Sequence, residues 1–173
     1  MEEAVYYISK DGTIYIKATG HVTALVCPPL KEAVFDRLDA PPPIEKVYLD
    51  LSGCEYMDST FLGLIVGTQK RYARLSGRRL GACESRIVLL NTNEACKGLL
   101  RTIGVLAMVE LSDALVPFPG DIERLYGDGR ASAHFLLDAH EELSNLSSEN
   151  RQRFSALSTV LKNAIDDEEC KDQ

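Results

Sequence analysis

In the segment MDSTFLGLIVG, at residues 57–67, a predicted strand gives way to a predicted helix. The strand, EKVYLDL at 45–51, is rich in apolar and aromatic residues, and a turn is expected at 52–54. Asp58 and Ser59 are both good N-cap residues, because a short side-chain oxygen can accept from the free N–H groups of the first helical turn. A hydroxyl therefore lies where a helix begins, a position that favours negative charge.

A helical wheel at about 100° per residue divides this helix into two faces. The face expected to pack on the sheet carries Phe61, Leu62, Leu64, Ile65, Thr68, Tyr72 and Leu75. The opposite face, called the glycine face below, carries Ser59, Gly63, Gly67, Lys70 and Arg74. Each glycine in a helix interior costs about 1 kcal/mol relative to alanine, so a close packing contact should compensate. The wheel leaves two partners open, another chain or a neighbouring element of the same domain.

The other elements predict an α/β fold. Strands are expected at 4–9, 13–19, 45–51, 86–90 and 105–111. Helices are expected from Pro28 to Asp39, from 58 to about 75, and from 94 to about 103. Asp11-Gly12 predicts a tight turn between the first two strands. The order β-β-α-β-α-β-α-β predicts a mixed sheet with its helices largely on one side.

The last third of the chain is predicted to be a separate extension. We divide the chain into a domain at 1–112 and a connector with a C-terminal helical extension at 113–173. The connector is expected to hold one helical turn at 122–126. Amphipathic runs at 131–146 and 149–165 predict a helical hairpin. Two interpretations stay open: the hairpin folds back onto the sheet domain, or it is a docking element that forms a homodimer.

Composition excludes several classes of protein. A net charge of -7 argues against nucleic acid as the main partner. Five cysteines without a C-x-x-C pair or a histidine at ligand spacing indicate free thiols in a reducing compartment. The N-terminus lacks the pattern of a signal peptide, and the apolar run at 61–67 is too short to span a bilayer. We therefore expect a cytoplasmic protein without a membrane segment.

The motifs of common catalytic sites are absent from the sequence. There is no phosphate-binding loop, no G-x-S-x-G elbow and no metal-binding cluster, so no cofactor or metal is expected. The carboxylates of Asp50, Glu55 and Asp58 bracket one turn and could be imagined as an acid/base pair. Capping and turn formation explain them better, because no nucleophile or electrophile accompanies them. The sequence does not indicate an enzyme.

Two segments carry a resemblance to a known family. LDLS at 49–52, followed by MDSTFLG at 57–63, closely resembles the phosphorylation-site segment of bacterial anti-sigma factor antagonists, which are STAS-domain proteins. The resemblance covers about residues 4–112 and implies the STAS fold. It also implies a transcription regulator whose serine, here Ser59, is phosphorylated by a partner anti-sigma factor that is a serine kinase. A PP2C-type phosphatase removes the phosphate. The unmodified antagonist binds the anti-sigma factor and so releases a sigma factor.

The resemblance makes Ser59 the predicted phosphorylation site. The predicted partner-binding residues are Asp58, Ser59, Thr60, Gly63 and Gly67. Thr60 is a second candidate acceptor, but it points about 100° away from Ser59 on the wheel. The sequence departs from the family pattern at 21–27, which lacks the usual aspartate after the glycine, and in its C-terminal extension. The alternative function is a constitutive scaffold or ligand-binding STAS domain in a larger signalling or lipid-transport assembly, with Ser59 only a helix cap.

Overall fold

The computed structural model, which describes residues 1–80 and 85–171 (side chains of 77–80 excepted), is built on a mixed sheet of six strands. The strands are β1 (Ala4–Lys10), β2 (Thr13–Val22), β3 (Lys46–Met57), β4 (Val88–Leu90), β5 (Glu110–Ser112) and β6 (Glu123–Leu125). The helices are α1 (Cys27–Asp39), α2 (Ser59–Leu80), α3 (Glu94–Ile103), α4 (Ala133–Ser144) and α5 (Ser148–Lys171). Short 3-10 turns lie at Ala24–Val26 and Val105–Ala107.

The sheet has the strand order β5-β4-β3-β2-β1-β6. β1 pairs antiparallel with β2 and β6, whereas β2, β3, β4 and β5 run parallel to one another. The turn between β1 and β2 has positive φ at Asp11 and Gly12, as the Asp-Gly pair predicts. The predicted fold class, a mixed α/β sheet with helices largely on one side and a C-terminal helical hairpin, is confirmed.

Three local predictions were wrong. Residues 52–54 do not form a turn, because β2 continues to Val22 and β3 pairs with it as far as Met57 through two register shifts. Residues 122–126 do not form a helical turn, because 123–125 pair with the free edge of β1 as β6. The strand expected at 105–111 begins only at Glu110, since Gly104 ends α3 in a left-handed conformation and a 3-10 turn follows.

The core lies between the sheet and the helices, and the hairpin of α4 and α5 contributes to it. Leu143 of α4 and Phe154 of α5 belong to the buried cluster formed by the sheet and the first three helices. Asn150 is buried at the start of α5, and its Nδ2 donates to the Ile103 carbonyl at the end of α3 (2.8 Å). Of the two interpretations left open for the hairpin, the structure therefore has the first, in which it folds back onto the sheet domain.

The cysteines of the described part of the chain are free thiols, as their spacing predicted. Cys27, Cys54 and Cys96 are buried and Cys170 is exposed, whereas Cys83 lies outside the described residues. Burial raises the pKa of the Cys27 thiol well above its usual range, and the neighbouring carboxylate of Asp58 adds to this shift. None of the helices described at 1–80 and 85–171 is long and apolar enough to cross a membrane.

Candidate functional site at the start of helix α2

Asp58 is the residue that caps α2. Its Oδ1 accepts from the backbone N–H of Phe61 (2.9 Å), which satisfies one of the free donors of the first turn. Its Oδ2 accepts from the backbone N–H of Ala24 (2.9 Å), and its own N–H donates to the Val22 carbonyl (3.0 Å). Both carboxylate oxygens are therefore occupied by backbone donors. Asp58 fastens the start of α2 to the end of β2.

Ser59 is the first residue of α2, and its hydroxyl pairs with a histidine from the far end of the chain. Its Oγ lies 2.8 Å from Nε2 of His140, a residue of α4 that is 81 positions later. Nδ1 of His140 lies 2.6 Å from the Leu136 carbonyl oxygen, which can only accept, so Nδ1 carries the proton. In the neutral imidazole Nε2 then accepts, and the Ser59 hydroxyl donates to it. The hydroxyl is thus engaged by a side chain and does not cap the helix.

His140 lies between Ser59 of α2 and Phe154 of α5. Only 3% of it is exposed, and its ring lies against Phe154 with ring centroids 5.5 Å apart. A serine that donates to an imidazole can act as a nucleophile when a substrate site adjoins it. A cavity of about 380 Å³ lies between α1, α2 and α4, and neither Ser59 nor His140 lines it. The pair links α2 to α4.

The glycine face of α2 is covered by α4. A Cβ added at Gly63 would lie 2.7 Å from the carbonyl carbon of Ala139, closer than real Cβ atoms approach, so the two helix backbones touch here. A Cβ at Gly67 would lie 3.8 Å from side-chain atoms of Phe35 and Glu142, which is an ordinary contact. The helical wheel left two possible partners for this face. In the structure the partner is α4, an element of the same chain.

Charged pairs border this contact. Lys70 of α2 forms an ion pair with Glu142 of α4, and Nζ of Lys31 on α1 lies 3.6 Å from a carboxylate oxygen of Asp138. The same Nζ lies 5.2 Å from the ring centroid of Phe135, a favourable cation–π distance. The α1–α2 side supplies the cations and α4 supplies the carboxylates.

The predicted site residues occupy different environments. Ser59 and Gly63 lie along the contact with α4, Asp58 caps α2 and binds the backbone of Ala24, and Gly67 borders the cavity. Thr60 is only 3% exposed. Sequence reasoning missed His140. Its only signal was a polar residue four positions after Leu136, inside the apolar stripe of α4.

No group of His, Cys, Asp and Glu side chains able to hold a metal ion occurs among the residues that the structure describes. This finding covers the described ranges 1–80 and 85–171 alone. Asp50, Glu55 and Asp58 do not form an acid/base pair there. Asp50 accepts from Ser52, Glu55 pairs with the N-terminal amine, and Asp58 caps α2. The amine holds the pKa of the Glu55 carboxyl below its usual range.

Comparison with solved structures supports the STAS fold. A Thermotoga maritima protein, TM1081, is described as a putative anti-sigma factor antagonist. Its crystal structure matches this chain with a TM-score of 0.51 and a sequence identity of 24%. The match covers 63% of this chain and 86% of TM1081. Its NMR structure matches at 23% identity and a TM-score of 0.50, over 62% and 79% of the two chains. The anti-sigma factor antagonist SpoIIAA, in its unphosphorylated form, matches at 14% identity and a TM-score of 0.50, over 64% and 87%.

At these identities the likeness extends to the fold alone. No curated protein sequence matches this chain. The family model described as "Mlab, STAS domain" matches residues 7–110, which is more than half of the chain and ends before the hairpin of α4 and α5. The sheet order, the position of α2 after β3 and this match agree, and the chain belongs to the STAS-domain family.

Proposed function

We propose that this protein is a phosphorylation-switched anti-sigma factor antagonist of the bacterial cytoplasm. It is a binding module without catalytic activity of its own. In its unmodified form it binds an anti-sigma factor that is also a serine kinase, and so releases a sigma factor. The solved structures with which it shares its fold include proteins described as anti-sigma factor antagonists. A PP2C-type phosphatase is the second partner in this proposal.

The main observation in support of the proposal is that Asp58, and not Ser59, caps α2. The carboxylate of Asp58 caps α2, so the fold does not need the Ser59 hydroxyl for that purpose. Ser59 is half-buried at the N-terminus of α2, where N–H donors and the helix dipole favour a phosphate. Thr60 is only 3% exposed, whereas Ser59 is partly exposed, which favours Ser59 of the two candidate acceptors.

The proposed switch works through charge and bulk. The kinase transfers the terminal phosphoryl group of ATP to Oγ of Ser59: a P–O bond to Oγ forms, ADP leaves, and the hydroxyl proton passes to a base of the kinase. The phosphate adds about -1.5 to -2 charges and three acceptor oxygens. A partner seated at the start of α2 is then repelled, until the phosphatase hydrolyses the ester and restores the hydroxyl.

The test compares Ser59→Ala with Ser59→Asp in binding the anti-sigma factor, by calorimetry. We expect Ser59→Asp to bind at least tenfold more weakly than Ser59→Ala, a difference of about 1.4 kcal/mol. Ser155→Asp on the exposed side of α5 is the control and should bind like the wild type. Peptide mapping of the protein from its host should place one phosphate on Ser59. Equal affinities of the two Ser59 variants would overturn the proposal.

The alternative function is a constitutive scaffold or ligand-binding STAS domain in a larger signalling or lipid-transport assembly. The covering of the glycine face by α4 favours it, because that face is then part of the fold. Under this alternative the Ser59 hydroxyl serves only to hold His140. Ser59→Ala would lower the free energy of unfolding by about 1 kcal/mol, the worth of one hydrogen bond, and Ser59→Ala and Ser59→Asp would bind a partner equally.

A further inference from the structure

The contact between α2 and α4 has the form of an interface between separate chains. Where α2 lacks side-chain volume, at Gly63, the backbone of α4 packs directly against it at Ala139. At one end of this contact a hydrogen bond joins Ser59 to His140. Leu143 supplies the apolar anchor and is completely buried. All of these groups on α4 belong to one helix, whose other faces contact mainly α5.

The charges across the contact are complementary. The cavity beside this contact has a basic side and an acidic side. Its α1–α2 side carries Lys31, Lys70, Arg71 and Arg74, and its α4 side carries Asp138, Glu141 and Glu142. Two of these pairs are ion pairs, Lys70 with Glu142 and Lys31 with Asp138. A helix that fits this surface must therefore be amphipathic and acidic, with a small residue opposite Gly63.

The chain before α4 allows the hairpin to leave this surface. β6 is fixed by its pairing with β1, and residues 126–132 then lead to α4. This segment contains Gly127 and Gly129, and Gly129 has a φ of +71°, which favours glycine. At about 3.3 Å per residue the segment spans more than the diameter of a helix, about 10 Å, so α4 can clear α2 while β6 stays in the sheet.

We infer that the glycine face of α2, together with the adjoining basic and aromatic side of α1, is an interaction surface for an acidic amphipathic helix of a partner protein. In this structure α4 occupies the surface as a competitor built into the same chain. The inference deepens the proposed function, since it names the surface and the regulation of the same site. Departure of α4 uncovers Leu143 and Phe154, so the competing helix has to supply an apolar residue of its own.

The closed hairpin also controls access to Ser59. Its Oγ lies 2.8 Å from Nε2 of His140, so a phosphate on Oγ would occupy the space of the imidazole. A phosphate on Ser59 therefore requires α4 to shift away from the start of α2. A chain with an opened hairpin should accept phosphate at Ser59 faster than the wild type does.

The test opens the hairpin from its own side and leaves the glycine face unchanged. In the full-length chain, Ala139→Arg places a long side chain at the closest contact of the two helices. Ala156→Arg, on the exposed side of α5, is the matched control. The probe is a fluorescently labelled synthetic peptide of residues 131–169, followed by anisotropy. We expect the Ala139→Arg chain to bind it at least tenfold more tightly than the wild type or the Ala156→Arg chain, and a peptide carrying A139R to bind none of the three.

A second variant covers failure of Ala139→Arg to fold. Gly67→Cys with Glu142→Cys, in a Cys170→Ser background, places two thiols across the contact, because the added Cβ at Gly67 lies 3.8 Å from Cγ of Glu142. Each single cysteine variant is a control. The oxidised, cross-linked chain should bind the labelled peptide at least tenfold more weakly than the reduced chain, because the cross-link keeps α4 on α2.

Equal peptide binding by wild type and Ala139→Arg, or equal peptide binding by the oxidised and reduced double variant, would overturn the inference. Neither measurement needs a kinase or an anti-sigma factor. If the peptide binds as expected while the two Ser59 variants bind the anti-sigma factor equally, the surface stands and the phosphorylation switch fails. If the peptide does not bind while the two Ser59 variants differ in affinity for the anti-sigma factor, the phosphorylation switch stands and the proposed surface fails.

Discussion

The two faces of α2 are buried in different ways. The face toward the sheet is filled by side chains, among them Phe61 and Ile65, which are nearly or completely buried. The opposite face has almost no side-chain volume at its centre, where Gly63 meets the backbone of Ala139. The first face packs by side-chain shape and the second by the approach of two backbones. A helix can thus be buried on both sides while only one side looks hydrophobic in its sequence.

The two glycines of the second face also differ from each other. Gly63 has no room for a Cβ, whereas Gly67 has ordinary van der Waals space beside Phe35 and Glu142. Their equal spacing on the helical wheel hides this difference. The contact with α4 is therefore closest near Ser59 and opens toward the cavity lined by Lys70 and Arg74.

The largest effect is expected on the sheet face. Phe61→Ala removes a completely buried ring from the core and should lower the free energy of unfolding by about 3–5 kcal/mol, measured by urea denaturation. Leu157→Ala, at a position on α5 that is 38% exposed, is the control and should cost less than about 1 kcal/mol. A loss of unfolding free energy below about 1 kcal/mol for Phe61→Ala would contradict the packing of this face on the sheet.

The next effect separates the two glycines. Gly63→Ala forces the added Cβ against the Ala139 carbonyl and should lower the free energy of unfolding by about 1–3 kcal/mol. Gly67→Ala has room for its methyl group and should raise it by up to about 1 kcal/mol, because alanine favours a helix interior more than glycine does. Hydrogen exchange of α4 should increase in the first variant alone. Equal effects of the two substitutions would show that α4 does not touch α2 at Gly63.

The smallest effect on stability is expected at the contact between α1 and α2. Arg71 of α2 donates to Asp39 of α1, and these hydrogen bonds hold the pKa of the Asp39 carboxyl below its ordinary value of 3.8. A lowered folded-state pKa stabilises the protein above the unfolded pKa, and this contribution is lost as the pH falls through the folded pKa. The pair is partly exposed to solvent, which screens it, so Asp39→Asn should cost about 0.2–1 kcal/mol at pH 7.

Urea denaturation at several pH values checks this prediction. The difference between wild type and Asp39→Asn should shrink as the pH falls from 7 toward about 3, where carboxylates become protonated. Asp113→Asn, at an exposed position of the connector, is the control and should show no such trend. A difference that grows on acidification would mean that Arg71 does not stabilise the ionised carboxylate.

Much of the fold followed from local sequence patterns. The Asp-Gly turn, the strand before α2, the cap at Asp58 and the apolar periods of the helices are all set by residues within a few positions of one another. The failures at 52–54 and 122–126 have a common cause. Both segments are strands because a partner strand lies beside them, and a partner distant in sequence leaves no mark on local composition.

Local sequence patterns are sufficient to locate the start of α2, the side chains that it buries on the sheet, and Ser59 at its N-terminus. What covers the opposite face depends on contacts between distant parts of the chain. The hydrogen bond from Ser59 to His140 joins residues 81 positions apart, and the contact of Gly63 with Ala139 is made by backbone atoms that every residue type has. Hydrophobic periodicity records how a helix meets apolar surroundings. It does not record which backbone from elsewhere in the chain comes to lie on its glycines.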